Sequence, residues 1–120
     1  MDRILVVDDD ASVRELLRSR LMANGYEVAM VDNGLDAISI MKKWRPDLII
    51  TDVYMPSVDG LTLFQEIQSD EELKDIPILV ISGVKSMRDI FQPSRIARFM
   101  TKPFDPKALL AMVKECVSGG

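Results

Sequence analysis

Three carboxylates, one hydroxyl and one ammonium recur in this chain at the same kind of position. Asp8 and Asp9 follow Ile4-Leu5-Val6-Val7, and Asp52 follows Leu48-Ile49-Ile50-Thr51. Ser82 follows Ile78-Leu79-Val80-Ile81, and Lys102 follows the weaker run Ile96-Ala97-Arg98-Phe99-Met100-Thr101. Such a set can hold a hard cation and a phosphoryl group. Histidine is absent, which removes Ser-His-Asp and Cys-His triads, imidazole bases and the usual zinc ligands. Cys116 is the single cysteine, so no disulfide forms within the chain. It falls in step with Leu109, Met112 and Val113, and reads as a core thiol.

The elements that must position these residues follow from periodicity. Continuous aliphatic runs of this length are strands buried on both faces, as in a parallel sheet. Tyr26 to Val31 reads as a further strand. Between strands, apolar residues recur at helical spacing: Val13, Leu16, Leu17 and Leu21, then Ala37, Ile38, Ile40 and Met41 from about Leu35 to Trp44, then Leu61, Leu63, Phe64 and Ile67. Ser12-Val13-Arg14-Glu15 has capping-box spacing, Asn24-Gly25 stops the first helix, and Asp32 or Asn33 can cap the second. The acidic turn Asp70-Glu71-Glu72 and Pro77 introduce strand four. Met87, Ile90 and Phe91 suggest a fourth helix that Pro93 ends, and a final helix runs from about Pro106 to Val117. Strand five is the weakest of the strands, because Arg98 interrupts it.

The alternation predicts a (βα)5 chain. Its expected fold is a doubly wound, flavodoxin-like three-layer α/β sandwich with a parallel five-stranded sheet of order 2-1-3-4-5. In that order strands 1, 3, 4 and 5 are consecutive. Their polar endings then meet at the edge where open α/β sheets bind ligands. With the carboxylates ~5 Å apart and an effective dielectric of about 20, each pair repels by roughly 3 kcal/mol, and three pairs approach ~10 kcal/mol. A raised pKa, a cation, or both must relieve this. Lys102 supplies one positive charge. Mg²⁺ would supply two more, and an all-oxygen donor set suits Mg²⁺ better than zinc. A carboxylate beside such charges can attack phosphorus and form an aspartyl phosphate, with Ser82 bonding a phosphoryl oxygen.

A length of 120 residues, 48% of them hydrophobic, predicts one globular domain over residues 1–120. The formal charge of −4 argues against direct nucleic-acid binding. Lys85, Arg88, Arg95, Arg98 and Lys102 against Asp89 make a local basic run, read as solvated surface or as a docking face for an acidic protein. Met1-Asp2-Arg3 leads into the first strand without room for a signal peptide, and no apolar stretch is long enough to span a bilayer. The expected location is cytoplasmic.

At this point the chain resembles the receiver domain of two-component response regulators, over residues 3 to 117. Asp52-Val53-Tyr54-Met55-Pro56-Ser57-Val58-Asp59-Gly60 is similar to the family's D-x-x-M-P-x-x-D-G run around its phosphorylated aspartate. Val6-Val7-Asp8-Asp9-Asp10 resembles its acidic pocket, Ile81-Ser82-Gly83 its switch hydroxyl, and Thr101-Lys102-Pro103-Phe104 its lysine motif. The resemblance implies that Asp52 accepts a phosphoryl group from a phosphohistidine on a sensor histidine kinase or histidine phosphotransfer protein. It implies that Asp9, Asp52 and the Tyr54 backbone carbonyl ligate Mg²⁺, with Asp8 acting mainly through a bound water. Lys102 would pair with the phosphoryl group across a cis bond to Pro103. Ser82 would move towards it, and Phe99 would turn inward behind it, the alternative for Phe99 being a fixed core residue. Asp10 lies one place beyond the acidic pair and reads as a loop or cap residue. The face of the fourth helix, strand five and the final helix would then change, acting on a downstream protein or an output domain outside this chain, as a monomer or a phosphorylation-dependent dimer.

The chain departs from the family between Ser82 and Lys102, two residues closer together than usual, with Pro93-Ser94-Arg95-Ile96-Ala97 in place of a small Gly-Ala pair. A short, irregular or mobile fourth helix is expected there. Tyr54 and Val84 are poor at orienting water, so a long-lived phosphoryl state is expected. Other functions suit the chain less well. A flavin carrier would want Ser, Thr and Gly where the first loop has Asp8-Asp9-Asp10. An aspartyl-phosphate phosphatase would want an acid where Tyr54 stands. The remaining alternative is a receiver-like interaction module that is never phosphorylated.

Overall fold

The computed structural model describes residues 2–52, 60–83 and 97–117. Its strands are β1 (Arg3–Val7), β2 (Glu27–Val31), β3 (Leu48–Asp52), β4 (Ile78–Ser82) and β5 (Ala97–Thr101). Among the described residues the helices are α1 (Ala11–Ala23), α2 (Gly34–Lys43), α3 (Gly60–Gln68) and α4 (Pro106–Val117). All strand pairs are parallel, in the order β2-β1-β3-β4-β5, which is the expected sheet. The segment expected to hold a further helix, 84–95, lies outside the described residues, as do Tyr54 and Val84.

The strand pleat sorts the aliphatic runs into two layers. Leu5, Val7, Ile49, Ile78, Val80 and Phe99 face one way and pack with Ala37 and Met41 of α2 and Leu63 and Ile67 of α3. Ile4, Val6, Leu48, Ile50, Leu79 and Ile81 face the other way, onto Leu17 and Leu21 of α1 and Leu109 and Val113 of α4. Successive residues thus bury against opposite helix layers, which is why these strands read as unbroken apolar runs. Arg98 fits in β5 because its guanidinium lies 3.6 Å from the Glu115 carboxylate on α4. Cys116 is half-buried against the same layer.

Helix ends are set locally. Asn33 caps α2 by accepting the Asp36 N–H. Helix α1 does not begin at the Ser12 capping box. Asp10 is its N-cap, and its carboxylate accepts both the N–H and the hydroxyl of Ser12, at 2.9 and 2.6 Å. An Asp two residues upstream outcompetes Ser12, because a carboxylate is the stronger acceptor for a helix N-terminus. At the other end Gly25 takes φ of 87°, the left-handed conformation that lets the chain reverse into β2. Leu73 and Ile76, in the turns after α3, are buried core residues that helical periodicity passed over.

Candidate functional site

Parallel register decides which side chains meet. Val7 aligns with Thr51 and Asp52 with Ile81, so Asp8, one residue past the end of β1, sits level with the end of β3. Ser82 aligns with Thr101, and the Ser82 carbonyl accepts the Lys102 N–H at 2.8 Å. That bond extends the β4–β5 ladder by one rung and sends the lysine side chain back across the sheet end. Its ammonium donates to Asp52 Oδ2 at 2.6 Å and to Asp8 Oδ2 at 3.0 Å. The Lys102–Pro103 peptide bond is cis, as the lysine motif implied.

Asp8, Asp9 and Asp52 come together, each offering a carboxylate oxygen within 4.8 Å of the others. This matches the spacing assumed in the repulsion argument. Their settings differ: Asp8 is buried, Asp52 half-buried and Asp9 exposed. Burial pushes the Asp8 carboxyl above its ordinary 3.8, and the Asp52 charge adds to the rise. The Asp10 N–H, at 2.9 Å from Asp8 Oδ1, and Lys102 pull against it. Burial alone would lower the Lys102 ammonium, but its bonds and attraction to Asp52 and Asp8 prevail and hold it above its ordinary 10.5. Hydrogen bonds from Ser12 hold the Asp10 carboxyl below its usual value. Asp10 is therefore a cap beside the site.

Ser82, one residue beyond the Ile81 that pairs with Asp52, is fully buried, and Phe99 is packed inward among Val80, Ile78 and their layer. Thr51 is buried too, its hydroxyl donating to the Asp52 carbonyl at 2.9 Å. Arg14 was not singled out by sequence spacing, yet its Nη1 donates to the Asp8 carbonyl at 2.7 Å. A lone arginine in the first turn of an amphipathic helix carries no signal of its own. The Tyr54 carbonyl lies outside the described residues. An all-oxygen trio with one buried member and partial neutralisation by lysine fits a hard divalent cation. An open groove of about 370 Å³, lined by Val13, Leu16, Pro103 and Phe104, adjoins Lys102.

A parallel 2-1-3-4-5 sheet with an acidic, lysine-bridged edge defines a receiver-like α/β domain. Residues 4–114 match the response regulator receiver domain, and the chain belongs to that family of two-component signalling domains. It is 35% identical over 116 residues to the DNA-binding dual master transcriptional regulator RpaA of Synechocystis sp., covering 95% of this chain and 48% of that protein. The chain thus spans about half the length of the curated relatives it matches. The signal receiver domain of a signal transduction histidine kinase from Syntrophus aciditrophicus superposes with a TM-score of 0.89 at 33% identity, over 99% of this chain and 92% of that one. The receiver domain of the sensor histidine kinase PA1611 from Pseudomonas aeruginosa, solved with a magnesium ion coordinated in its active site cleft, superposes at 0.87 with 24% identity over 98% of each chain. Among the described residues no helix is long and apolar enough to cross a membrane.

Proposed function

We propose that residues 1–120 act as one receiver unit whose Asp52 accepts a phosphoryl group from a phosphohistidine on a sensor kinase or phosphotransfer protein. The observation that carries this reading is the ammonium of Lys102 shared between Asp52 and Asp8. An Asp52 oxygen forms the new O–P bond as the P–N bond to the donor imidazole breaks. The imidazole leaves with the bonding pair and takes up a proton. Lys102 stays close to Asp52 throughout and would pair with a phosphoryl oxygen, a charge-assisted contact that strengthens as charge develops.

Asp8, Asp9, Asp52 and the Tyr54 carbonyl would hold Mg²⁺, which when bound supplies positive charge against the phosphoryl oxygens. A Pseudomonas relative of the same fold carries magnesium in its cleft. Ser82 and Phe99 would be the switch. Ser82 begins fully buried and Phe99 inward, so the step open to them is a shift of Ser82 towards the phosphate and a repacking of Phe99 behind it. The output would be the surface of strand β5, helix α4 and the segment before β5, read by a downstream protein or an output domain outside this chain. The groove beside Lys102, apolar and bordered by the half-exposed Leu16, suits the phosphodonor protein.

The test is Mg²⁺-dependent labelling by a small phosphodonor. Wild type should take up label and Asp52→Ala should not. An unlabelled wild type would sink the reading and favour an unphosphorylated interaction module.

A further inference from the structure

We infer that Arg14 is a positioning residue for the acidic loop: by fastening the backbone carbonyl of Asp8, its guanidinium sets how Asp8 and Asp9 are presented to a divalent cation. The inference rests on the magnesium-dependent reading above and assigns a residue that reading leaves unused.

Strand β1 ends at Val7, and the Asp8 N–H makes the last rung, donating to the Val31 carbonyl at 3.2 Å. The Asp8 carbonyl lies one residue past β1, where the backbone N–H bond is made to β2. That strand has already ended at Val31. A partly buried carbonyl with no strand donor needs another. Arg14 supplies it at 2.7 Å, from a side chain that is itself half-buried.

The anchor behind the guanidinium is firm. The Arg14 N–H donates to the Asp10 carbonyl at 3.1 Å, the opening bond of α1. Asp10 in turn donates its own N–H to Asp8 Oδ1 and caps the helix through Ser12. Helix α1 therefore grips Asp8 twice, at its carbonyl through Arg14 and at its carboxylate through Asp10. Asp9 lies between these two grips, exposed, on backbone that they hold. The Asp10 and Lys102 bonds both occupy oxygens of the Asp8 carboxylate. The Arg14 bond does not, so it orders the loop while leaving a ligand oxygen available. A planar guanidinium with several donors suits this reach better than a point-charge ammonium.

The experiment is calorimetric titration of the full chain with Mg²⁺, alongside the Mg²⁺ dependence of labelling by acetyl phosphate. Arg14→Met keeps most of the apolar stem and removes the donor. It should weaken Mg²⁺ binding about tenfold, as loss of a residue supporting a metal ligand commonly does. Labelling at saturating Mg²⁺ should recover to within about twofold of wild type, since the reacting groups remain. Arg14→Lys should restore part of the affinity, and Arg18→Met, on the same helix away from the site, should leave it unchanged. Arg14→Met with wild-type affinity, or with a labelling defect that saturating Mg²⁺ does not repair, overturns the inference. Should Arg14→Met fail to fold, Arg14→Lys carries the test, and affinity equal to wild type overturns it. Wild type that binds no Mg²⁺ removes the functional reading and this inference together, whereas wild type and variants binding alike remove this inference alone.

Discussion

Both ends of the sheet hold a cation among carboxylates, and the two arrangements have opposite consequences. At the amino ends of the strands, Arg3 sits 3.8 Å from Glu27, its backbone N–H donates to Asp47 at 2.8 Å, and its guanidinium lies 5.5 Å over the Trp44 ring. Arg3 and Glu27 side chains are 45% and 49% exposed. At the carboxyl ends, Lys102 bridges Asp8 and Asp52, with side chains 22%, 3% and 13% exposed. Water screens the first group, and an exposed pair of this kind contributes about 0–1 kcal/mol. The Lys102, Asp8 and Asp52 side chains are largely out of water, so burial raises Asp8, and two carboxylates share one ammonium with the exposed Asp9 close by. Similar residue types thus give a surface fastening at one end and an under-neutralised site at the other. Burial makes the difference, more than contact distance does.

The comparison breaks first where effects are largest. Asp52→Asn should abolish labelling by a small phosphodonor, and Lys102→Met should slow it about a hundredfold, the loss usual for one charge-stabilising donor. Arg3→Met, at the other end, should label like wild type. Equal labelling defects at the two ends would mean that the difference between them is not functional.

Next in size is the metal. Mg²⁺ at about a hundred times its dissociation constant should stabilise wild type against urea by roughly 2.7 kcal/mol. The Asp8→Asn, Asp9→Asn double variant should gain almost nothing, because only the carboxyl-end cluster offers three converging carboxylate oxygens among the described residues.

A smaller effect concerns Asp8 without metal. Its folded-state pKa is raised, so the native protein binds that proton more tightly than the unfolded chain does. The Asp8 contribution to stability therefore falls as pH rises from its ordinary 3.8 through the raised folded value. Asp8→Asn should flatten this part of the pH profile in metal-free urea melts. Lys102, also raised, has the same sign but acts at alkaline pH. Its contribution is intact below its ordinary 10.5 and is lost as pH climbs through the raised folded value, so Lys102→Met should lose that alkaline step. The smallest effect belongs to the amino end, where Glu27→Gln should cost under about 0.5 kcal/mol and vanish in high salt.

The strands, their parallel order and the meeting of Asp8, Asp52, Ser82 and Lys102 at one edge were legible from the chain. Unbroken aliphatic runs admit few other packings, and each run ends on its polar residue. The absence of histidine and the single cysteine narrow the metal chemistry by composition alone. Local competition was not legible. Ser12 and Asp10 both offer caps, and only the folded geometry decides that Asp10 takes the N-terminus of α1. Leu73 and Ile76 lie in turns, where no periodicity marks a core residue, and the partnership of Arg14 with the Asp8 carbonyl joins groups that only the folded loop brings together.

The sequence by itself determined which groups would share a site, because strand-end positions are set by hydrophobic pattern and parallel order. Only the tertiary structure decided how that site is charged. Depth, and the reach of Lys102 across two strands, set which carboxylate is buried, which is exposed and which pair the ammonium serves. Hydrophobic pattern is a property of neighbours along the chain. Desolvation and Coulomb energy depend on distances in space, and those exist only once the sheet has closed its register.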